Sequence, residues 1–167
     1  MVHKRENMNH AWNEFIKTYA KEDSDLVKAI ITQESGWNAF AIRYEQTYQY
    51  LFNPDEFAKK NKVTLSTEIN TQKMSWGLGQ IMGAVARELG FEGSMPLLSD
   101  AQLNILLMCT HISRLKKISD QTDDIIAMYN GGTGALHKLD GKYKNFGYVD
   151  SVKKHLKNLK EVINIES

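Results

Sequence analysis

Glu34 stands where a carboxyl group is hard to keep charged. Residues 24–36 predict a helix of about three turns, capped by Ser24, with Asp25 at its positive end and Gly36 as its stop. Leu26, Val27, Ile30 and Ile31 recur at helical spacing, and the stripe they form continues to Glu34 in the last turn. Desolvation and the negative end of the helix dipole both disfavour the ionised form there, so the pKa of Glu34 is expected to be raised. A carboxylic acid still protonated near neutral pH is suited to general acid catalysis. The same spacing also fits the exposed end of an amphipathic helix.

Three stretches have residue types that chemistry would need. In 33–38 the aromatic Trp37 follows the acid directly after the helix stop, where an indole packed on the carboxyl would desolvate it further. In 75–83 Gly77, Gly79 and Gly83 would let a flat ligand approach the backbone, and Gln80 offers amide donors and an acceptor. In 127–132 a helix ends on Tyr129 and Asn130 before two glycines. Each has a plain structural reading: Trp37 and Trp76 as core, Gln80 as surface, the last stretch as a helix cap and turn. Together they describe a groove with an acid, aromatic walls and neutral hydrogen-bonding side chains, a combination suited to carbohydrate.

The elements that must position these groups are mostly helical. Trp12, Phe15, Ile16 and Tyr19 form a first stripe. Asn53 and Pro54 open a short helix ending near Asn61. Residues 62–74 admit either a short strand at Val63 or a helix capped by Ser66. Gly77 to Leu89 reads as a helix with Leu78, Ile81, Val85 and Leu89 on one face. Ser99 opens a long helix to about Ile118, apolar nearly all round and therefore expected to be central and buried. Thr122 caps a further helix to Tyr129, and Val149, Val152, Leu156 and Leu159 stripe the last one. The expectation is a mostly α protein, a single domain over 1–167, with at most a short β-hairpin and any strands near 40–75.

Composition excludes several classes. A chain of 167 residues suits one sizeable core, and a net charge of +1 provides no global field for nucleic acid. The lysines at 116, 117, 153, 154, 157 and 160 read as solvated helix faces. Cys109 is the only cysteine, so no intrachain disulfide is possible. His3, His10, His111, His137 and His155 are scattered without ligand spacing, so no metal and no cofactor are expected. The basic start of the chain lacks a following apolar segment, so no signal peptide is expected, and no run is long enough to span a bilayer.

Glu34 to Asn38, Gly77 to Met82, Tyr129 to Gly132 and Tyr148 to Asp150, in that order, resemble the soluble-type lytic transglycosylases and their relatives the goose-type lysozymes. Arg43-Tyr44-Glu45 and Ser75-Trp76-Gly77 are similar to stretches of small bacteriophage cell-wall enzymes. The resemblance implies a lysozyme-like fold and cleavage of peptidoglycan between N-acetylmuramic acid and N-acetylglucosamine, leaving 1,6-anhydromuramoyl ends. It implies Glu34 as the single catalytic acid/base and Ser35, Ser75, Gln80, Met82, Tyr129, Asn130 and Tyr148 as substrate-binding residues. A hydrolytic muramidase using a second carboxylate remains an alternative, with Glu45 the best candidate; Glu68 and Glu88 read as surface. A non-catalytic phage structural or glycan-binding protein is the alternative of another class. The expected partner is the glycan strand, with no nucleic acid and no membrane insertion, and the protein is expected to be a monomer. The expected route to the wall is release through a holin or carriage in a virion. Position 79 departs from the pattern, being Gly where many members have Met, and residues 44–74 are longer than in minimal members.

Overall fold

The computed structural model describes the backbone of residues 12–165 and the side chains of residues 12–161. The charged N-terminal run, His3 and His10 lie outside the described residues. Residues 12–20 are helical and are designated α1. A 3-10 turn, Lys21–Asp23, leads directly into α2 (Ser24–Ser35), so Ser24 does not act as a capping side chain. Gly36 ends α2 in the left-handed conformation, φ 56°, a geometry that favours glycine because it lacks a Cβ. The apolar stripe of α2 is buried as its spacing predicts, with Val27, Ile30 and Ile31 fully enclosed. It packs chiefly against the C-terminal helix, α8 (Phe146–Ile165).

The central helix is α6 (Ala101–Lys116). Its cap is Asp100, one residue later than the sequence suggested; the Asp100 carboxylate accepts from Leu103 N–H at 2.8 Å. Ile105, Met108 and Ile112 are buried in the core, but Leu106 is 41% exposed, so α6 is not enclosed all round. Two buried positions of α6 are polar, Asn104 and His111. Asn104 is fully buried, donates to the carbonyls of Trp76 and Leu98, and accepts from Gly79 N–H. Next comes α7 (Thr122–Gly131), preceded by Gln121 rather than capped by Thr122.

The expected helix from Gly77 to Leu89 is instead mostly sheet and turn. Three antiparallel strands run in the order β1 (Ile42–Tyr44), β2 (Met74–Trp76), β3 (Ile81–Met82), and only α5 (Gly83–Glu88) is helical. Register pairs Arg43 with Ser75 and Ser75 with Met82. The β2–β3 turn holds Gly77 at φ 70° and Gln80 at φ 48°, conformations incompatible with a helix. Its glycines admit core side chains, not a ligand. A Cβ on Gly77 would lie 2.5 Å from Asn104 Nδ2, and one on Gly79 would lie 2.3 Å from Met108 Sδ. A methionine sulfur from α6 thus fills the space beside position 79.

The long segment between β1 and β2 folds as α3 (Pro54–Asn61) and α4 (Leu65–Gln72), packed against each other. Thr64 caps α4, accepting from Thr67 N–H. Glu68, read from sequence as surface, is buried. Its two oxygens take Nε and Nη2 of Arg87 at 2.9 and 3.0 Å, with both side chains 2% exposed or less. Arg87 Nη1 donates to the carbonyls of Phe91 and Gly93, and its guanidinium lies over the Phe57 ring. Gln72 joins the network, donating to Glu68 and exchanging two bonds with the Phe52 backbone. A buried charge pair persists only when its remaining donors and acceptors are satisfied, as they are here. The network fixes the long segment to α5.

Candidate active site

A cleft of about 400 Å³ opens beside the C-terminal turn of α2. It is lined by Glu34, Arg43, Glu45, Thr47, Tyr48, Tyr50, Ser75, Gln80, Met82, Tyr129 and Asn130. The structure therefore brings Glu34, Glu45, Ser75, Gln80, Met82, Tyr129 and Asn130, all singled out in the sequence, around one space. Tyr148 reaches Glu34 from α8, its hydroxyl donating to Glu34 Oε1 at 2.5 Å. Ser35 turns its hydroxyl back onto the Ile31 carbonyl. Trp37 and Trp76 serve the core: Trp37 stacks on Trp12 and donates to Thr32, and buried Trp76 donates to the Thr71 carbonyl.

Glu34 is the group the site is built around. Burial raises its pKa, the Tyr148 hydrogen bond and the charge of Arg43 lower it, and the charge of Glu45 raises it; the net direction is upward. Burial and the same carboxylate push Tyr148 and Tyr129 far up, so both phenols stay protonated and act only as neutral donors. Tyr129 spends its proton on the Gly79 carbonyl at 2.8 Å, tying α7 to the β2–β3 turn. Behind it lies His111, whose ring centre is 5.4 Å from that of Tyr129. Burial, with a smaller effect of Arg114, drops the His111 pKa to about 4, so the imidazole is neutral at pH 7. Among the described residues its Nδ1 has no hydrogen-bond partner.

The role of Gln80 is more specific than lining the cleft. Its amide NH₂ donates to the carbonyls of Ala41 and Gly77, and its oxygen accepts from Ser75. Both donors are spent tying the residue before β1 to the β2–β3 turn, which leaves the second lone pair of Oε1 as its remaining hydrogen-bonding capacity. Asn130 is braced in the same way by Asn145, whose Nδ2 donates to Asn130 Oδ1 and to the Ala127 carbonyl. Glu45 is engaged by Arg43 Nε on the same strand edge. Glu88 pairs with Arg114 at 2.8 Å and Glu68 with Arg87, so neither lines the cleft.

Residues 10–151, most of the chain and the whole of the cleft described above, match the family described as the transglycosylase SLT domain. The chain belongs to that family. No curated protein and no solved structure matches it. As a transglycosylase SLT domain it has the mostly α, lysozyme-like fold expected, with a small three-stranded sheet added, and its class of activity is that of peptidoglycan-degrading transglycosylases. The family match encloses the long segment between β1 and β2, which supplies Thr47, Tyr48 and Tyr50 to the wall of the cleft.

Sequence reasoning missed Arg43, Asn104 and Asn145 as contributors. Arg43 carried a signal: it lies two positions before Glu45 on an extended segment, which puts both on one face. Asn104 and Asn145 carried none, because their partners are distant in sequence: the backbone of Trp76 and Gly79 for Asn104, and the Ala127 carbonyl and the Asn130 side chain for Asn145. Among the described residues no helix is long and apolar enough to cross a membrane, and no group of three or more His, Cys, Asp or Glu side chains is placed to hold a metal.

Proposed function

We propose that this protein is a lytic transglycosylase that cleaves the bond between N-acetylmuramic acid and N-acetylglucosamine with Glu34 as its only acid/base. The supporting observation is the raised pKa of Glu34 at the cleft, held in place by the Tyr148 hydroxyl. Glu34 begins as the neutral acid and gives its proton to the glycosidic oxygen. The bond from that oxygen to C1 of the muramic residue breaks, and the N-acetylglucosamine side leaves as an alcohol. The neighbouring N-acetyl oxygen bonds to C1 and takes up the developing positive charge. Glu34, now a carboxylate that accepts from Tyr148, removes the proton of the 6-hydroxyl of the same ring. O6 then bonds to C1 and displaces the acetamido oxygen, giving a 1,6-anhydro end and restoring the acid. Intramolecular attack needs no bound water and has a large effective-concentration advantage.

Among the described residues Glu45 is the one other carboxylate lining the cleft, and it supports a hydrolytic second reading. Its ion pair with Arg43 favours the one-acid route, because the Glu45 oxygen bonded to Arg43 Nε is already engaged and not free to position a water. The Arg43-Tyr44-Glu45 and Ser75-Trp76-Gly77 stretches support a bacteriophage lysin as the setting.

Mass spectrometry of fragments released from purified peptidoglycan tests the reading. Anhydromuramoyl ends, one water lighter than hydrolysed ends, are expected, and reducing muramic ends would establish the hydrolase instead. E34Q is expected to lower turnover by at least about 100-fold, the low end of general acid catalysis. Gln cannot ionise, so E34Q should also be more stable than wild type at high pH, where the raised pKa makes ionisation of Glu34 costly to the fold. An E34Q protein as active as wild type would remove Glu34 from the mechanism.

A further inference from the structure

Among the described residues, Arg43 is the only cation whose side chain lines the cleft. Its Nε is taken by Glu45, and among the described residues its Nη1 and Nη2 have no protein partner. The paired Nη1–Nη2 edge is the end of a guanidinium that grips a carboxylate with two parallel bonds. Its side chain is 65% exposed, so nothing blocks an approaching group. Glu45 holds the guanidinium by the opposite edge and sets its direction. β1 fixes the backbone, since the Arg43 carbonyl accepts from Ser75, whose hydroxyl also bonds Gln80. The remaining groups facing the cleft suit neutral sugar: two hydroxyls, two amides, three phenols and a thioether.

We infer that Arg43 is a specificity residue that binds a carboxylate carried on the muramic side chain of the strand, and that the carboxylate is that of the peptide stem. This rests on the reading of the cleft as a peptidoglycan site. The sugars of the backbone are uncharged and offer the free Nη1–Nη2 edge of Arg43 only neutral acceptors, whereas a carboxylate supplies two charged oxygens that match it. Two sources offer the same chemistry: stem carboxylates, and the lactyl carboxylate exposed when a stem is removed. A lactyl group sits directly on the sugar ring, whereas Arg43 lies on the exposed edge strand of the sheet, all three of whose residues face solvent. That position favours the longer arm.

The test compares three forms of one peptidoglycan: untreated, with stem carboxylates capped as neutral amides, and stripped of stems by an amidase. Wild type is expected to prefer the untreated wall over the capped wall by about fivefold in kcat/KM, the scale of an exposed ion pair. The preference should shrink as salt is raised. R43Q should lose most of that ratio, and R43K, which keeps the charge without the fork, should retain part of it. A wild-type enzyme indifferent to capping, or an R43Q protein with an unchanged ratio, overturns the assignment. Preference for the stripped wall over the untreated one, with capping without effect, would reassign the carboxylate to the lactyl group, which is free only once the stem is removed. If folded wild type cleaves none of the three, the proposed function falls. The inference is then decided by titrating a soluble stem-bearing disaccharide and its amide-capped form into wild type and R43Q: equal affinities in wild type refute it.

Discussion

Replacing Glu68 by Leu would leave the Arg87 guanidinium inside the protein with a positive charge and no counter-ion. The geometry sets the size of the effect. Arg87 is fully enclosed, two of its nitrogens bond Glu68, and the third bonds two carbonyls that cannot neutralise it. Breaking one side of a buried pair typically costs about 3–5 kcal/mol. That is a large share of the roughly 5–15 kcal/mol that holds a domain folded. For a chain of this size, 1 kcal/mol moves the melting temperature by about 2–4 °C. E68L should therefore melt roughly 6–20 °C below wild type. R87M should behave similarly, because it leaves the carboxylate with Gln72 as its one remaining polar partner. The double variant E68L/R87M removes both charges and fills the space with apolar atoms, so it should recover most of the loss. Urea unfolding of the four proteins, followed by circular dichroism, gives the coupling directly. The same samples should show reduced lysis of wall suspensions before global unfolding, since Gln72 and Phe52 tie this network to the strand of chain carrying Thr47, Tyr48 and Tyr50. A single variant within about 1 kcal/mol of wild type, or a double variant no better than the sum of the singles, would refute the argument.

Two further outcomes concern protons. Y148F removes the donor that stabilises the Glu34 carboxylate, so the pKa of Glu34 should rise further. The alkaline limb of the pH–activity profile should move upward, and a limb that stays put or moves down would show that Glu34 is not the group titrating there. His111 titrates near 4 in the fold against 6.5 when unfolded, so the unfolded chain takes the proton first. Stability should fall as pH drops from about 6.5 to about 4, by roughly 3 kcal/mol in all. Glu34 works in the opposite sense, because its raised pKa makes the fold hold a proton more tightly, and this offsets part of the loss. H111F should flatten the decline in urea midpoints across that window; an unchanged slope would acquit His111.

Much of the site was legible because it lies on regular elements. The α2 stripe pointed to Glu34 through spacing alone, and the order of the short stretches placed Gln80, Tyr129 and Tyr148 near it. The hairpin was not legible. Leu78, Ile81, Val85 and Leu89 recur at helical intervals, and the competing signal was the pair of glycines, which the reading assigned to a ligand. What decides the matter is Asn104, a side chain from another helix that satisfies the turn's backbone. Glu68 was misplaced for a similar reason. A lone glutamate four residues before a glutamine has the pattern of a solvated helix face, and the Arg87 that draws it inside is nineteen positions away. Periodicity reports neighbours along one helix, and both errors came from partners reached across the fold.

Glu34 and Tyr148 are separated by 114 positions in the chain. Closing a loop of that length costs about 4 kcal/mol of chain entropy beyond a constant, more than one hydrogen bond returns. The contact therefore depends on the docking of α2 against α8 and cannot form ahead of it. A partly folded or nicked chain with every helix intact but that interface open has the acid without its donor. Under the proposed mechanism such a chain should release wall fragments more slowly than the closed one. The Glu34–Tyr148 pair is a property of the closed chain, completed when α8 seats on α2.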